Sequence, residues 1–410
     1  MTKAALVRAE PWAQYILFTI LVMATPFVVV TRFLQGAVWR VSHIMFPLFG
    51  LELPVVGTFA IALLIAVVVW QRRNITRRKI IAGLVIVSMI AISQWVQDLY
   101  GGMSVYDLQK NWHYAAYSCY VFIFFRAFNR IKMPLFRMIP FAFLSAIVIS
   151  FIDEGFQYNM SNRIFDVSDI SKDAWGAMMG LVMVLFIAET YGSLKIIPRL
   201  WWKRRVANYF QDPMALLIIC GLLALSAILM SPLLTGFEYW HIFLGFTLGL
   251  FLIIVIILHL LQFPKIRIVI LSLLGAGFVV LLTSFILNID KGITRTQYGL
   301  TVYKGLPVPF FDMMIYPNGM PRLVDKKHLF NQQDKNFLFS TKPDILLMGA
   351  GFGNLGGKGF PISEGSTFVF NQSSKQGTQV IIYPTPLASQ IYNRLIKEGK
   401  KVLFVIHNTC

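Results

Sequence analysis

Nine apolar stretches, separated by short polar segments, dominate the first 288 residues of the chain. A helix that crosses the roughly 30 Å hydrocarbon core of a bilayer needs about 20 mostly apolar residues, and these stretches approach that length. The pattern therefore predicts a polytopic α-helical membrane protein with about nine transmembrane helices over residues 1–288. The predicted spans are Trp12–Thr31, Pro54–Trp70, Ile80–Val96, Trp112–Phe125, Ile139–Ile152, Ala174–Tyr191, Met214–Leu234, Tyr239–Gln262 and Ile268–Leu287.

The pattern changes after residue 288, where shorter apolar segments alternate with turn sequences such as "YPNGMP" and "STKPD". The segment "TQVIIYPTPLASQIYNRLIKEGKKVLFVI" has the periodicity of a strand, a helix and a second strand. Residues 289–410 are therefore predicted to form a small C-terminal α/β domain.

Composition supports the membrane class, since 57% of the residues are hydrophobic and 14% are charged. An ordinary soluble domain has about half and about a quarter, respectively. The net charge of +18 would suggest nucleic acid, but the basic residues follow the predicted loops instead. With a cytoplasmic N-terminus, eighteen Lys and Arg fall in the inside segments and five in the outside ones. We therefore expect a multi-pass protein of the cell membrane with lipid neighbours, no nucleic-acid partner and an external C-terminal domain.

This topology places separated polar residues at one membrane level. The fourth span begins near His113, the fifth ends near the Asp153–Glu154 pair, and the sixth begins near Asp169 and Asp173, all on the predicted outer side. Ionisable groups at membrane depth are costly and usually functional, with a partner close by. The pattern predicts a polar site at the outer face.

Spacing along the helices refines this prediction. Gln157 lies four residues after Asp153 and three after Glu154, so a helix would place the three on one side. His113 and Tyr117 share a face in the same way, and so do Asp169 and Asp173. Gly176 and Gly180, also four apart, give the sixth span a small-residue face that favours close helix packing.

The sequences "QKNWHYAAY" and "DEGFQYNMSNRIFDVSDISKDAWGAMMG" resemble the VanZ-like family, whose first member is associated with teicoplanin resistance. The resemblance covers roughly residues 80–190. Gln109 and Asp173 depart from it, because the family usually has Asp and Asn there. The positions that match the family's motif are Lys110, His113, Asp153, Glu154, Gln157, Arg163, Asp169, Gly176 and Gly180.

Several chemistries remain open for these residues. Ordinary helix-end charges explain part of the pattern, because acidic residues favour a helix N-terminus. Acid/base catalysis by His113, Asp153 or Glu154 is a second interpretation. A metal site is not favoured, since a single histidine and no Cys pair accompany the carboxylates. We favour a polar pocket that binds a head group or amphiphile, in which Arg163 or Lys110 meets an anion.

Glycines near the end of the chain do not predict a cofactor site. Gly351, Gly353 and Gly356 satisfy G-x-G-x-x-G, but further glycines follow instead of a helix, and no acidic residue stands about 20 positions on. Turn geometry is the better interpretation, and no cofactor is predicted.

The tail contains a second set of motif positions, Gly349, Gly351, Ala388, Tyr392, Asn393, Glu398 and Gly399. With these residues the tail resembles the small α/β domain of mitochondrial complex I assembly factors and adipogenesis-associated proteins. That resemblance implies a fold and a protein-binding role and brings no catalytic residues.

Two functional hypotheses follow. The favoured one is a non-enzymatic envelope factor that binds a lipid-linked or glycopeptide small molecule and confers antibiotic tolerance. The alternative is a membrane hydrolase or transferase that acts on a lipid-linked envelope substrate through paired carboxylates. The first is preferred because the sequence shows no nucleophile–base pair.

Overall fold

The structure is a computed structural model of the 410-residue chain. It describes residues 3–29, 32–48, 51–70, 72–97, 107–158, 165–189, 194, 205–326, 337–338, 340–356, 366–371 and 376–409. The chain divides into two compact units. The first comprises Met1–Ser231 with Phe237–Gln262, and the second comprises Pro232–Gly236 with Phe263–Cys410.

The described part of the first unit consists mainly of helices and contains one hairpin. A π-helical segment, Met183–Ala188, extends its seventh helix, and the hairpin pairs β1 (Met45–Leu48) with β2 (Leu51–Pro54). The helices are α1 (Lys3–Val29), α2 (Arg32–Ser42), α3 (Val55–Trp70), α4 (Arg77–Gln97), α5 (Leu108–Phe128), α6 (Leu135–Tyr158), α7 (Val167–Val182), α8 (Val206–Tyr209), α9 (Pro213–Met230) and α10 (Trp240–Leu260).

Six helices in the described residues are long and apolar enough to cross a membrane. They are Arg77–Val96, Leu135–Tyr158, Val167–Ala188, Pro213–Leu233, Phe237–Leu260 and Pro264–Asn288. The protein therefore has the features of a multi-pass membrane protein, but the predicted count of nine spans is not confirmed.

The other three predicted spans fall on α1, α3 and α5, which are not among the six. Helix α3 has only 16 residues, which is short for the hydrocarbon core. Helix α5 begins with the polar sequence Gln109–His113, and this lowers its hydropathy. These polar residues belong to the helix that the sequence predicted as the fourth span.

Helix α7 is the central helix of the first unit. Of its apolar window, 78% is buried, compared with 33% for the α6 span and 17% for the α4 span. It packs against α5, α6, α9 and α4. Aromatic side chains that are wholly buried fill the adjoining core, including Tyr120, Phe124, Phe125 and Phe143. The residues at the start of α7 are therefore held within a packed bundle.

The second unit contains α11 (Pro264–Asn288) and a mixed α/β region. Its strands are β3 (Ile293–Gln297), β4 (Leu300–Tyr303), β5 (Leu306–Pro309), β6 (Asp312–Ile315), β7 (Pro321–Val324), β8 (Ile345–Gly349), β9 (Ser366–Asn371), β10 (Gln376–Tyr383) and β11 (Val402–Ile406), and α12 spans Thr385–Lys397. Strands β3, β4 and β5 form an antiparallel sheet. The larger sheet has the order β7-β6-β11-β8-β10-β9, and β8 is parallel to both neighbours.

Fully buried strands form the core of this region. Strands β6 and β8 are buried at every position, as expected for strands covered on both faces. The predicted strand–helix–strand segment corresponds to β10, α12 and β11, and the helix packs Ala388 and Tyr392 toward the sheet. A mixed sheet with helix in the C-terminal part is therefore confirmed.

Candidate functional site

The candidate site lies where α5 and α7 begin and α6 ends. Asp166 caps α7, because its Oδ1 accepts a hydrogen bond from the Ser168 backbone N at 2.7 Å. This cap fixes the first turn of α7, which carries Asp169, and Asp173 follows one turn later. Burial, followed by the charge of Asp169, raises the pKa of Asp166 above its ordinary value.

A histidine–carboxylate pair connects α5 to α7. His113 Nδ1 is 2.9 Å from Asp173 Oδ1, and the other oxygen of Asp173 accepts a hydrogen bond from Ser150 Oγ on α6 at 2.6 Å. The Asp173 side chain is only 1% exposed, whereas that of His113 is 17% exposed. Asp173 therefore joins all three helices, with its carboxylate facing inward and the histidine nearer to the surface.

Asp169 and Lys172 form the outer part of the cluster. Lys172 Nζ is 2.5 Å from Asp169 Oδ1, and His113 Nε2 is 3.6 Å from Asp169 Oδ2. The side chain of Lys172 is 15% exposed and that of Asp169 is 22% exposed. These two residues and His113 form a partly exposed rim, which we call the rim residues.

The end of α6 supplies the buried carboxylates. Gln157 Nε2 donates to Glu154 Oε1 at 2.8 Å and to Asp153 Oδ2 at 3.4 Å. Glu154 Oε2 also accepts from the backbone N of Asp166 at 3.1 Å, which ties α6 to the start of α7. Glu154 is fully buried, and both carboxylates lie within the electrostatic influence of His113. We refer to Asp153, Glu154, Gln157, Asp173 and the rim residues together as the polar cluster.

Two buried oxygens, one in the polar cluster and one beside it, make no hydrogen bond of normal geometry among the described residues. Asp153 Oδ1 and Tyr117 Oη have no partner among the described residues, although the tyrosine hydroxyl faces Asp173 and Ser150. Asp153 is 7% exposed and Tyr117 is 2% exposed. A buried polar atom without a partner carries a desolvation penalty, so these oxygens favour an additional hydrogen-bonding group in the cluster.

Two glycines let α5 and α7 approach closely. A Cβ added at Gly176 would lie 2.9 Å from both the Cα and the O of Tyr114. One added at Gly180 would lie 2.8 Å from the Ser118 O. Since backbone atoms would be the obstacles, only glycine permits this separation, and it brings His113 within reach of Asp173.

Two predicted residues cannot be assigned contacts. Arg163 lies outside the described residues, and so does the side chain of Lys110, whose backbone is in the first turn of α5. Sequence analysis in turn omitted Ser150 and Lys172 from the candidate site. Ser150 lies three residues before Asp153, and therefore on its helical face, which is the signal that could have identified it.

Among the described residues, the polar cluster has no obvious set of metal ligands. Within the described ranges, no group of three or more His, Cys, Asp or Glu side chains has an arrangement that could hold a metal ion. The cluster instead alternates carboxylates with hydrogen-bond donors. Its chemistry is suited to binding groups that both donate and accept hydrogen bonds.

The C-terminal motif residues have structural contacts. Asn393 bonds both backbone groups of Ile293, with Ile293 N to Oδ1 at 2.9 Å and Nδ2 to Ile293 O at 2.6 Å. Tyr392 stacks on Phe404 with ring centroids 5.0 Å apart, and Ala388 is fully buried. Gly399, which follows α12, has a φ of +73°, the left-handed conformation common just after a helix.

The remaining motif residues lie at the end of β8 and of α12. A Cβ at Gly349 would lie 2.8 Å from Thr385 Oγ1, and Gly351, with a φ of +86°, donates its backbone N–H to the same oxygen. Glu398 is 3.9 Å from Arg394, an exposed pair of little energetic weight. These glycines therefore serve backbone geometry in the described part of the loop.

A buried ion cluster in the second unit was not anticipated from the sequence. Asp312 accepts from Lys326 Nζ at 3.0 Å and lies 2.7 Å from His407 Nδ1, and its Oδ1 also accepts from the Asn408 backbone N. Burial alone would raise the pKa of Asp312. The hydrogen bond and charge of His407, with the charge of Lys326, hold that pKa below its ordinary value.

Comparison with known proteins supports a VanZ-like family for the membrane part. Residues 59–188 match the family model described as VanZ/LLP1, a range that contains α5, α6 and α7 with the whole polar cluster. The resemblance predicted for residues 80–190 is thereby confirmed at the level of the family. Together with the long apolar helices, the match suggests a multi-pass, envelope-associated membrane protein.

Among curated proteins, none matches the chain. Solved structures match a smaller region than the family model does. Two solved structures share similarity over 29% of this chain and 98% of their own, each with a TM-score of 0.22. One is titled "MT938" and is 18% identical, and the other is the crystal structure of the conserved hypothetical protein PH1505 from Pyrococcus horikoshii OT3, which is 22% identical.

Proposed function

We propose that this protein is an integral membrane factor of the cell envelope whose polar cluster binds the head group of an amphiphile. The ligand is a lipid-linked precursor or a glycopeptide, and its binding confers antibiotic tolerance, as in the teicoplanin-resistance type that the sequence resembles. The cluster lies on the outer side of the cell membrane in the topology given by the basic loop residues.

The observation that carries this proposal is the buried Asp153 Oδ1, which has no hydrogen-bond partner among the described residues. A carboxylate oxygen can only accept, so the ligand group that reaches Asp153 is a hydroxyl, an amide or an ammonium. Leaving a buried acceptor unpaired costs about 1–3 kcal/mol, and a donor from the ligand recovers much of this penalty.

The rim residues support an amphiphile with a polar head. His113, Asp169 and Lys172 are each partly exposed and together present both signs of charge. Many apolar side chains of the surrounding helices are exposed, including Phe151 and Phe156 on α6, so a lipid-like tail can lie beside the cluster. A ligand with a polar head and an apolar tail fits both surfaces.

Asp153→Asn is the most direct test. The substitution keeps the shape of the side chain and one oxygen, but it can place an amide donor where a ligand donor is expected. Purified protein in nanodiscs should bind the probe teicoplanin at least tenfold more weakly than wild type, with an unchanged thermal unfolding midpoint. Glu238→Gln, which removes an exposed carboxylate, is the control and should bind normally. Normal binding by Asp153→Asn would refute the assignment.

Coupling tests whether the cluster acts as a unit. In a strain that lacks the gene, His113→Ala and Glu154→Gln should each abolish glycopeptide tolerance while the protein remains inserted. The double variant should be no worse than either single one, because residues that act together are non-additive. Additive losses would mean that the charges only solvate helix ends.

We also propose that the C-terminal domain binds a protein partner. Strand β9 is at the edge of the larger sheet, and its Phe368 and Phe370 are 70% and 59% exposed. Exposed aromatic residues on an edge strand favour pairing with another chain. Replacement of both by Ser should reduce crosslinking of the domain to its partner in cells without a change in protein level, and unchanged crosslinks would contradict this role.

A further inference from the structure

A groove lies between α1, α5 and the π-helical segment after α7, away from the polar cluster. Its volume is about 760 Å³, and its lining is almost entirely apolar. Leu17 and Phe18 of α1, Phe122 of α5, and Met183 and Ile187 of the π-helical segment contribute to it. The volume is within the usual range of small-molecule sites.

The groove has a polar group at one end. Arg126 of α5 lines it there, and Arg126 Nη2 is 3.2 Å from Glu10 Oε1, with side chains 40% and 54% exposed. An exposed ion pair of this kind is weak, so the guanidinium remains open to another anion. Arg130 and Lys132 follow within six residues and are both exposed. Against the negative charge of Glu10, these three basic side chains leave the C-terminal end of α5 with a net positive charge.

The length of the groove matches one leaflet. Its lining on α5 runs from Ser118 to Arg126, and eight residues of helix rise about 12 Å. Half of a hydrocarbon core of about 30 Å is about 15 Å. A chain that lies in the groove therefore extends from the membrane surface at Arg126 toward the bilayer centre and no further.

We propose that this groove binds one acyl chain of an anionic phospholipid from the leaflet on the Arg126 side. The phosphate of the lipid accepts hydrogen bonds from Arg126, and the chain packs against Leu17, Phe122 and Met183. An anionic lipid is preferred over phosphatidylcholine because no choline cation offsets the attraction of its phosphate to the basic end of α5. Within the bilayer, apolar burial offers no net gain, so the site depends on the fit of the chain to the groove and on the guanidinium–phosphate contact. This lipid site is separate from the proposed ligand site at the polar cluster.

Native Cys119 gives a direct readout, since it lines the groove and is exposed, whereas Cys220 is buried. The full chain carrying Cys410→Ser is placed in nanodiscs of phosphatidylcholine with or without 20% phosphatidylglycerol, and a bilayer-soluble maleimide is added. We expect phosphatidylglycerol to slow labelling at Cys119 by about fivefold or more. Equal labelling rates in the two lipid mixtures would overturn the proposal. This test leaves every residue of the groove unchanged.

Two matched pairs of variants separate the head group from the chain. Arg126→Gln should remove the difference between the two lipids, and Arg137→Gln, an exposed arginine on α6, should retain it. Ala188→Phe fills the groove and should abolish retention of phosphatidylglycerol in native mass spectrometry. Ala115→Phe, on an exposed position of α5 outside the groove, should leave retention unchanged. If the two variants of either pair behave alike, the lipid site is refuted. This outcome does not depend on the effect of Asp153→Asn on teicoplanin binding.

Discussion

Gly176→Ala should separate α5 from α7 and so weaken the polar cluster. The added Cβ would lie 2.9 Å from the Tyr114 Cα and O and 3.0 Å from the His113 O. Carbon atoms in favourable contact are about 3.5–4.0 Å apart, so the helices must move by about 0.6 Å. These obstacles are backbone atoms, which cannot rotate away as a side chain can.

The energetic terms have opposite signs. Alanine in a helix is favoured over glycine by about 1 kcal/mol, whereas an extra methyl group in a packed interface costs about 1–3 kcal/mol. The movement also stretches the 2.9 Å contact of His113 with Asp173 on the two helices that separate. Loss of a hydrogen bond to a charged group costs about 1.5–3 kcal/mol. Together these terms predict net destabilisation by about 1.5–5 kcal/mol.

Gly83→Ala is the matched control, because Gly83 is also inside a membrane helix, α4, and nothing lies within 4 Å of its added Cβ. It should be neutral or slightly stabilising. Unfolding of both variants in mixed micelles of dodecylmaltoside and dodecyl sulfate, followed by tryptophan fluorescence, measures the difference. Equal stability of Gly176→Ala and Gly83→Ala would show that the close approach of α5 and α7 is not what holds the site.

Three further predictions concern other parts of the chain. The lowered pKa of Asp312 means that its carboxylate stabilises the folded state above the ordinary pKa of 3.8, and that this contribution is lost as the pH falls through the lower folded-state pKa. Asp312→Asn should thus destabilise the second unit by about 3–5 kcal/mol near neutral pH in pulse proteolysis, and the difference from wild type should shrink below pH 3.8. Asn393→Ala, which removes two hydrogen bonds, should cost about 1–3 kcal/mol by the same assay, whereas the exposed Gln390→Ala should change stability by less than about 0.5 kcal/mol. In a variant without native cysteines, Thr76→Cys should resist an impermeant thiol reagent in intact cells and Asn162→Cys should react, and the reverse result would invert the predicted topology.

The membrane class follows from the sequence alone, because long apolar runs and the placement of Lys and Arg are local properties. The same holds for the strand–helix–strand pattern that became β10, α12 and β11, whose periodicities change from two to 3.6 along the chain. Topology also predicted that His113, Asp153 and Asp173 would lie at one membrane level, since helices of similar length begin and end at the two surfaces. These inferences needed no knowledge of how the helices pack.

The predicted count of nine spans is not confirmed, and α5 shows why hydropathy alone leaves the count open. The sequence reads α5 as the fourth span, but its polar first turns keep it out of the six helices that are apolar enough by themselves. His113, which carries part of that polarity, is directed toward Asp173. Hydropathy scores each residue without its neighbours, and therefore cannot tell a polar residue that faces another helix from one that would face lipid.

Only the tertiary structure decided which atoms of the polar cluster meet. The sequence grouped Asp153, Glu154 and Gln157 by spacing, but it gave no reason to include Ser150 as a donor to Asp173, nor to leave Asp153 Oδ1 and Tyr117 Oη without partners. Those contacts depend on how closely α5 and α7 approach at Gly176 and on the rotation of α6 against them. Helix separation and rotation arise from the packing of many side chains distant in the chain, so no local sequence pattern specifies them.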